Sequence, residues 1–205
     1  RMMCAEASTA DKPKEAEAAP EGPSPFELLD VRVGKIIEAW EHPDSDKLWC
    51  EKIDVGEEEP REIASGLRAY YPAVEDMTGR KVLVVCNLKA AKLAGFASNG
   101  MVLCASSADR STVAFVEPPE AAEPGERVLC EGAEPVPPAS GNAVKKKKLM
   151  VKAAEELRAV ETVASYRGTP LVVGGGRCIF GAPGSRLPER TGRDWRGVPS
   201  AGSKL

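Results

Sequence analysis

Apolar residues recur along this chain in short, closely spaced runs. Leu29, Val31 and Val33 alternate with Asp30 and Arg32, and Ile36-Ile37 carries the run on to Trp40. Alternation with period two sets one side of a strand against a core. Leu48 to Val55 reads as the next strand, ended by Gly56, and Glu62-Ile63-Ala64 as a third, ended by Ser65-Gly66. Lys81 to Leu88 (KVLVVCNL) is continuously apolar, the pattern of a strand buried on both faces. Gly100 to Ala105, Thr112 to Val116 and Arg127 to Leu129 complete the set, with one helical turn near Tyr70-Tyr71. Strands this short, separated by turn clusters such as His42-Pro43-Asp44-Ser45-Asp46, predict an all-β fold. A stretch of about 115 residues with one helical turn fits a small five-stranded Greek-key barrel.

Beyond it, Leu149, Val151, Ala154 and Leu157 are spaced for one helix over Lys145 to Val160. Residues 1–25 are rich in Ala, Glu and Pro without apolar periodicity and read as a disordered acidic tail or linker. The Gly/Arg/Ser-rich stretch from Gly174 reads as disordered too. No internal repeat is present.

Composition narrows the function classes. There is no run of about 18 apolar residues, so no membrane span is expected. The first residues are acidic and carry no apolar signal core, which argues for a cytoplasmic protein. The chain starts at Arg1 rather than Met, as a fragment of something longer would. Six cysteines lie at 4, 50, 86, 104, 130 and 178, none within CxxC-type spacing, and His42 is the lone histidine. These exclude a cysteine metal clamp, a multi-His metal site and a His-based triad outside His42. His42 itself sits in a turn and reads as exposed. Asp44 and Asp46 lack the later Gly and Glu of a calcium loop. Gly174-Gly175-Gly176 lacks the Lys-Ser/Thr of a phosphate loop. No catalytic constellation, metal or cofactor is therefore expected.

The formal charge of -3 conceals a segregation. Residues 26–142 hold 12 Lys/Arg and 21 Asp/Glu, whereas residues 143–173 hold 7 and 3. Two windows contain no acid at all. Between Asp76 and Asp109 the charges are Arg80, Lys81, Lys89 and Lys92. Between Glu134 and Glu155 they are Lys145, Lys146, Lys147, Lys148 and Lys152. Cation patches free of carboxylates suit a polyanion, because each phosphate contact releases counterions. The segment Asn87 to Met101 (NLKAAKLAGFASNGM) joins two strands at the surface. It offers Lys89 and Lys92 for phosphates, and Asn87, Ser98 and Asn99 as hydrogen-bonding groups for bases or riboses.

These residues carry a resemblance. FELLDVRVGKIIEAWEHPDSDKLWCEKIDVG, REIASGL and VLVVCNLKAAKLAGFASNGMVLCAS, in this order, resemble the EMAP II-like tRNA-binding domain. That family includes multisynthetase-complex auxiliary proteins and C-terminal appendices of methionyl- and tyrosyl-tRNA synthetases. The resemblance runs from Phe26 to about Cys178. It implies an oligonucleotide-binding (OB) barrel over 26–135 and a small α/β satellite subdomain over 136–178. It also implies a monomer, the satellite filling what is a dimer interface in shorter relatives. The function implied is tRNA binding through phosphate and shape, as a cofactor in cis or trans to a methionyl- or tyrosyl-tRNA synthetase. The alternative is a scaffold of a synthetase complex with little RNA affinity. The expected tRNA contacts are Lys81, Asn87, Lys89, Lys92, Ser98, Asn99 and Lys145, Lys146, Lys147 and Lys148. Ala90 and Ala94 stand where members often carry Pro and Arg, which removes one expected cation. Residues 179–205 depart from the family and are expected to be a disordered tail. Their last three, Ser203-Lys204-Leu205, spell a peroxisomal address, a minor alternative to the cytoplasm.

Overall fold

A computed structural model of the chain describes residues 22–107, 112–160, 162–181 and 196–199. The disordered reading of residues 1–21 lies outside these. The first unit contains β1 (Val31–Glu41), β2 (Trp49–Asp54), β3 (Arg61–Ser65), β4 (Lys81–Val85), a hairpin of β5 (Ala91–Leu93) and β6 (Phe96–Ser98), then β7 (Met101–Ser106) and β8 (Val113–Glu117). A two-residue β9 (Leu129–Cys130) leads to helices α1 (Gly141–Lys146) and α2 (Leu149–Glu156). After them come β10 (Leu157–Val160), β11 (Val163–Tyr166), β12 (Thr169–Val173), β13 (Gly176–Arg177), β14 (Ile179–Gly181) and β15 (Arg196–Pro199). The fold is mostly β, and every strand pairing is antiparallel.

β1 organises the first unit by serving two ladders. Its first half, Val31 to Lys35, pairs with β4, and its second half, Lys35 to Glu41, pairs with β2. A bulge between Ile36 and Glu38 turns the strand from one ladder to the other. Gly34 sits just before that bend. A Cβ there would stand 2.7 Å from the Ile53 side chain and 2.9 Å from that of Val84, so a larger residue would force the ladders apart.

Two hydrophobic cores lie on opposite sides of the central strands. One gathers Ile36, Trp49, Ile53, Ile63, Tyr71, Met77, Val82, Val84 and Phe115. The other joins Leu83, Val85, Met101 and Leu103 to Phe26, Leu149, Met150, Leu157, Tyr166 and Leu171. Alternate residues of β4 thus feed different cores, which is why KVLVV is apolar throughout. Burying each large side chain contributes about 1.5–3 kcal/mol, so the second core binds residues 141–178 firmly to the first unit.

The single helix expected over Lys145 to Val160 is two. Ser140 caps α1, its Oγ accepting from the Ala143 N–H at 3.3 Å. Lys148 then adopts a left-handed conformation (φ 51°), which ends one helical path and starts another. Leu157 to Val160 leave α2 as a strand paired with β11. The expected disorder beyond Gly174 is also corrected within the described residues. β13 pairs with β12, β14 with β8 and β11, and β15 with β7 and β10. β14 and β15 are completed by distant partners rather than by a local apolar pattern.

Candidate nucleic-acid interface

The segment from Asn87 to Gly100 leaves β4, forms the β5–β6 hairpin and enters β7. Asn87 fixes its foot. Its Oδ1 accepts from the Asp30 N–H at 2.9 Å, and its Nδ2 donates to the carbonyls of Leu28 at 3.0 Å and Ala139 at 2.9 Å. The amide is thereby committed to the backbone, not turned to solvent as the sequence suggested. The Ala139 bond ties this segment to the approach of α1. Gly141 completes the contact, since a Cβ there would lie 3.3 Å from the Asn87 carbonyl and 3.4 Å from the Lys89 nitrogen. Residues about fifty positions apart in sequence are thus packed backbone to backbone. With a rise of about 1.5 Å per residue, Lys145 lies about 6 Å along the helix from Gly141. The two acid-free windows meet here.

Ser98 is also turned inward. Its hydroxyl accepts from the Ala64 N–H at 3.1 Å and donates to the Gly100 carbonyl at 3.1 Å. β3 and the start of β7 share no ladder, and this hydroxyl bridges them together with the Asn99 N–H to Glu62 carbonyl bond at 2.9 Å. Arg61 reinforces the seam by donating to the carbonyls of Cys86 at 2.6 Å and Asn99 at 2.9 Å. Nothing in the sequence set Arg61 apart from other surface arginines. Lys81 donates to the carbonyls of Glu120 and Ala122, at 2.6 and 2.7 Å, and closes that loop. The side chain of Asn99 remains exposed.

Lys89, Lys92 and Lys145, Lys146, Lys147 and Lys148 are all exposed. Among the described residues none of the six forms an ion pair. In the first unit Arg32 pairs with Asp30 and Glu57, Arg61 with Glu57, Arg68 with Glu41, Arg80 with Glu117 and Lys52 with Glu38, whereas Lys35 and Lys47 are, like the six, exposed and outside any ion pair among the described residues. The hydrogen bond from Arg61 holds the Glu57 carboxyl below its ordinary value, and Arg32 beside it acts in the same direction. Local neutralisation therefore covers Arg32, Arg61, Arg68, Arg80 and Lys52 of the body and leaves the six lysines uncompensated.

His42 is only 4% exposed, against the expectation of a solvent-facing turn residue. It lies beneath the hairpin, its ring 6.0 Å from that of Phe96. Trp40 meets the same Phe96 edge-on at 6.1 Å. Among the described residues no three or more His, Cys, Asp or Glu side chains are grouped to hold a metal ion. The five described cysteines are free and buried. No described helix is long and apolar enough to cross a membrane. Ser203-Lys204-Leu205 lies outside the described residues.

A family model described as "Putative tRNA binding domain" matches residues 31–127. The "Probable methionine--tRNA ligase" of Oryza sativa subsp. japonica is 47% identical over 151 residues, 73% of this chain and 18% of its own length. Aminoacyl tRNA synthase complex-interacting multifunctional protein 1 of Mus musculus is 38% identical over 176 residues, 85% of this chain and 52% of its own length. The chain thus spans between about a fifth and a half of these curated relatives. The solved C-terminal domain of Plasmodium vivax p43 is 34% identical, with a TM-score of 0.71 over 77% of this chain and 94% of that one. The antiparallel body, the second core that closes over it and these matches lead to one assignment: the chain belongs to the EMAP II-like tRNA-binding domain family.

Proposed function

We propose that this chain is a non-enzymatic tRNA-binding module that acts as an accessory to an aminoacyl-tRNA synthetase, methionyl or tyrosyl, in cis or in trans. One observation carries the reading. Six exposed lysines without ion pairs, Lys89, Lys92 and Lys145 to Lys148, come from two acid-free windows that the Asn87–Ala139 bond brings together. Such a surface recognises phosphate spacing and shape more than base identity. Asn99 adds an exposed amide at the same segment. Asn87, Ser98 and Lys81 serve the interface by shaping it, since their polar atoms are bound to backbone.

We read residues 26–135 as an OB barrel, with β1 bent into two ladders and Ser98 sealing β3 to β7. Residues 136–178 are then the satellite whose apolar residues cover the outer face of β4 and β7. A face filled this way favours a monomer. A cytoplasmic location goes with the role in tRNA charging. The acidic body, with 21 Asp/Glu against 12 Lys/Arg over residues 26–142, favours a second reading as a scaffold within a synthetase complex. A gel shift with bulk tRNA at low salt separates the two. A binder retards tRNA and releases it as salt rises, whereas a scaffold leaves tRNA unshifted while still co-purifying a synthetase.

A further inference from the structure

The β5–β6 hairpin cannot hold itself. Each strand has three residues, and the turn between them uses Ala94 at φ 47° and Gly95 at φ 92°. That is the geometry of a tight primed turn, which Ala enters reluctantly. Isolated two-stranded hairpins are marginal in water, so this one needs support from outside.

Ser98 supplies it at the base of the hairpin, and His42 supplies it at the tip from the β1–β2 loop. Its Nδ1 accepts from the Asp44 N–H at 3.0 Å, which fixes the remaining proton on Nε2. Nε2 lies 3.2 Å from the Leu93 carbonyl at the hairpin tip and donates to it. Phe96, across the hairpin from Leu93, rests against the His42 and Trp40 rings. Lys92 lies on the opposite face of the hairpin and is exposed. Both ring nitrogens are therefore in use, and only the neutral imidazole can use them this way. A doubly protonated ring has no acceptor for the Asp44 N–H.

We propose that His42 is a positioning residue that holds the Lys92 hairpin in its tRNA-binding arrangement. The inference rests on the reading of Lys89 and Lys92 as phosphate contacts. The charged groups around the ring are Glu41, Asp44, Asp46 and Lys47 from its own loop, and Arg68, paired with Glu41 at 2.7 Å, from the segment after β3. Lys89 and Lys92 belong to the hairpin side.

Affinity for bulk tRNA is compared at fixed salt and pH. His42→Gln keeps a donor that reaches Leu93. It should bind within about twofold of the parent. His42→Asn keeps the acceptor for Asp44 but falls short of Leu93. It should bind about fivefold more weakly than the parent, the equivalent of one lost hydrogen bond. Hydrogen-exchange protection of the β5–β6 amides should fall in His42→Asn and hold in His42→Gln, with or without RNA. A His42→Asn variant with the parent's affinity and protection, or a His42→Gln variant as weak as His42→Asn, overturns the proposal. If Lys89→Ala and Lys92→Ala leave binding unchanged while the protection results hold, it is the phosphate-contact reading that has failed. The clamp then exists, but it has no bearing on RNA.

Discussion

The body of this protein and its lysine face treat positive charge in opposite ways. In the body, four arginines, Arg32, Arg61, Arg68 and Arg80, are neutralised where they stand. Arg32 lies 2.7 Å from Asp30, Arg68 lies 2.7 Å from Glu41, and Arg80 pairs with Glu117 while resting over the Phe115 ring at 5.1 Å. On the lysine face, six ammonium groups have no carboxylate beside them among the described residues. The difference follows residue type in part, although Lys52 of the body pairs with Glu38 at 3.0 Å. The planar fork of Arg suits a fixed bidentate partner, whereas Lys is a mobile, strongly hydrated point charge. A net-acidic protein can thus keep a local cationic surface, provided the fold holds that surface apart from its acids. Asn87 and Gly141 do so by joining two windows that each lack acid.

Glu51 is the exception in the body, and it carries the largest expected effect. It is fully buried on β2, has no cation partner, and meets the Ser65 hydroxyl at one oxygen while the other has no partner. Burial raises its carboxyl to about 8 from a usual 4.5. The folded state thus keeps the proton to higher pH than the unfolded state does. Its contribution to stability is whole below about pH 4.5 and is lost as pH rises to about 8. Thermal unfolding should show the wild type losing up to about 1 kcal/mol per pH unit across that window relative to Glu51→Gln. Parallel curves would mean that burial does not raise the Glu51 carboxyl, and would end its standing as an exception.

Asn87→Ala comes next. It strips three backbone groups of their partner and should cost about 3 kcal/mol in denaturant unfolding. It should also loosen α1 against Lys89, so tRNA binding falls in the protein that remains folded. An Asn87→Ala protein of full stability and weak binding would return Asn87 to the set of direct RNA contacts. Ser98→Ala opens the seam between β3 and β7 and should cost about 1–2 kcal/mol by the same measurement. The smallest change should come from Arg177→Ala. Arg177 is paired with Glu131 at 3.0 Å on the surface. Stability should stay within about 0.5 kcal/mol, and the salt dependence of tRNA binding should not move.

The strands were legible because burial imposes a period. β1, β2, β3, β4, β7 and β8 appear where alternation or a continuous apolar run put them, and β4 is buried on both faces as KVLVVCNL implied. The lysines were legible because an absence of acids is visible in sequence. The inward turn of Asn87 and Ser98 was not. A sequence shows an amide or a hydroxyl but not whether its partner is a base or a carbonyl, and the partners of Asn87 at Asp30 and Leu28 lie 57 and 59 residues away. His42 failed to declare itself for the same reason, since its partner at Leu93 is 51 residues off. The break at Lys148 is a backbone event in a run of four identical side chains, where composition carries no signal. β14 and β15 depend on edges offered by β7, β8, β10 and β11, so their own residues did not announce them.

The claim that uncompensated lysines form the RNA surface is tested most directly by the salt dependence of bulk tRNA binding. The measurement compares wild type with the variant carrying Lys145→Ala, Lys146→Ala, Lys147→Ala and Lys148→Ala. Each phosphate contact contributes roughly 0.9 to the slope of log affinity against log salt. The variant should bind more weakly, with a slope smaller in magnitude by about 3. A variant that binds with the wild-type slope would show that the run is ordinary solvated surface and would contradict the account.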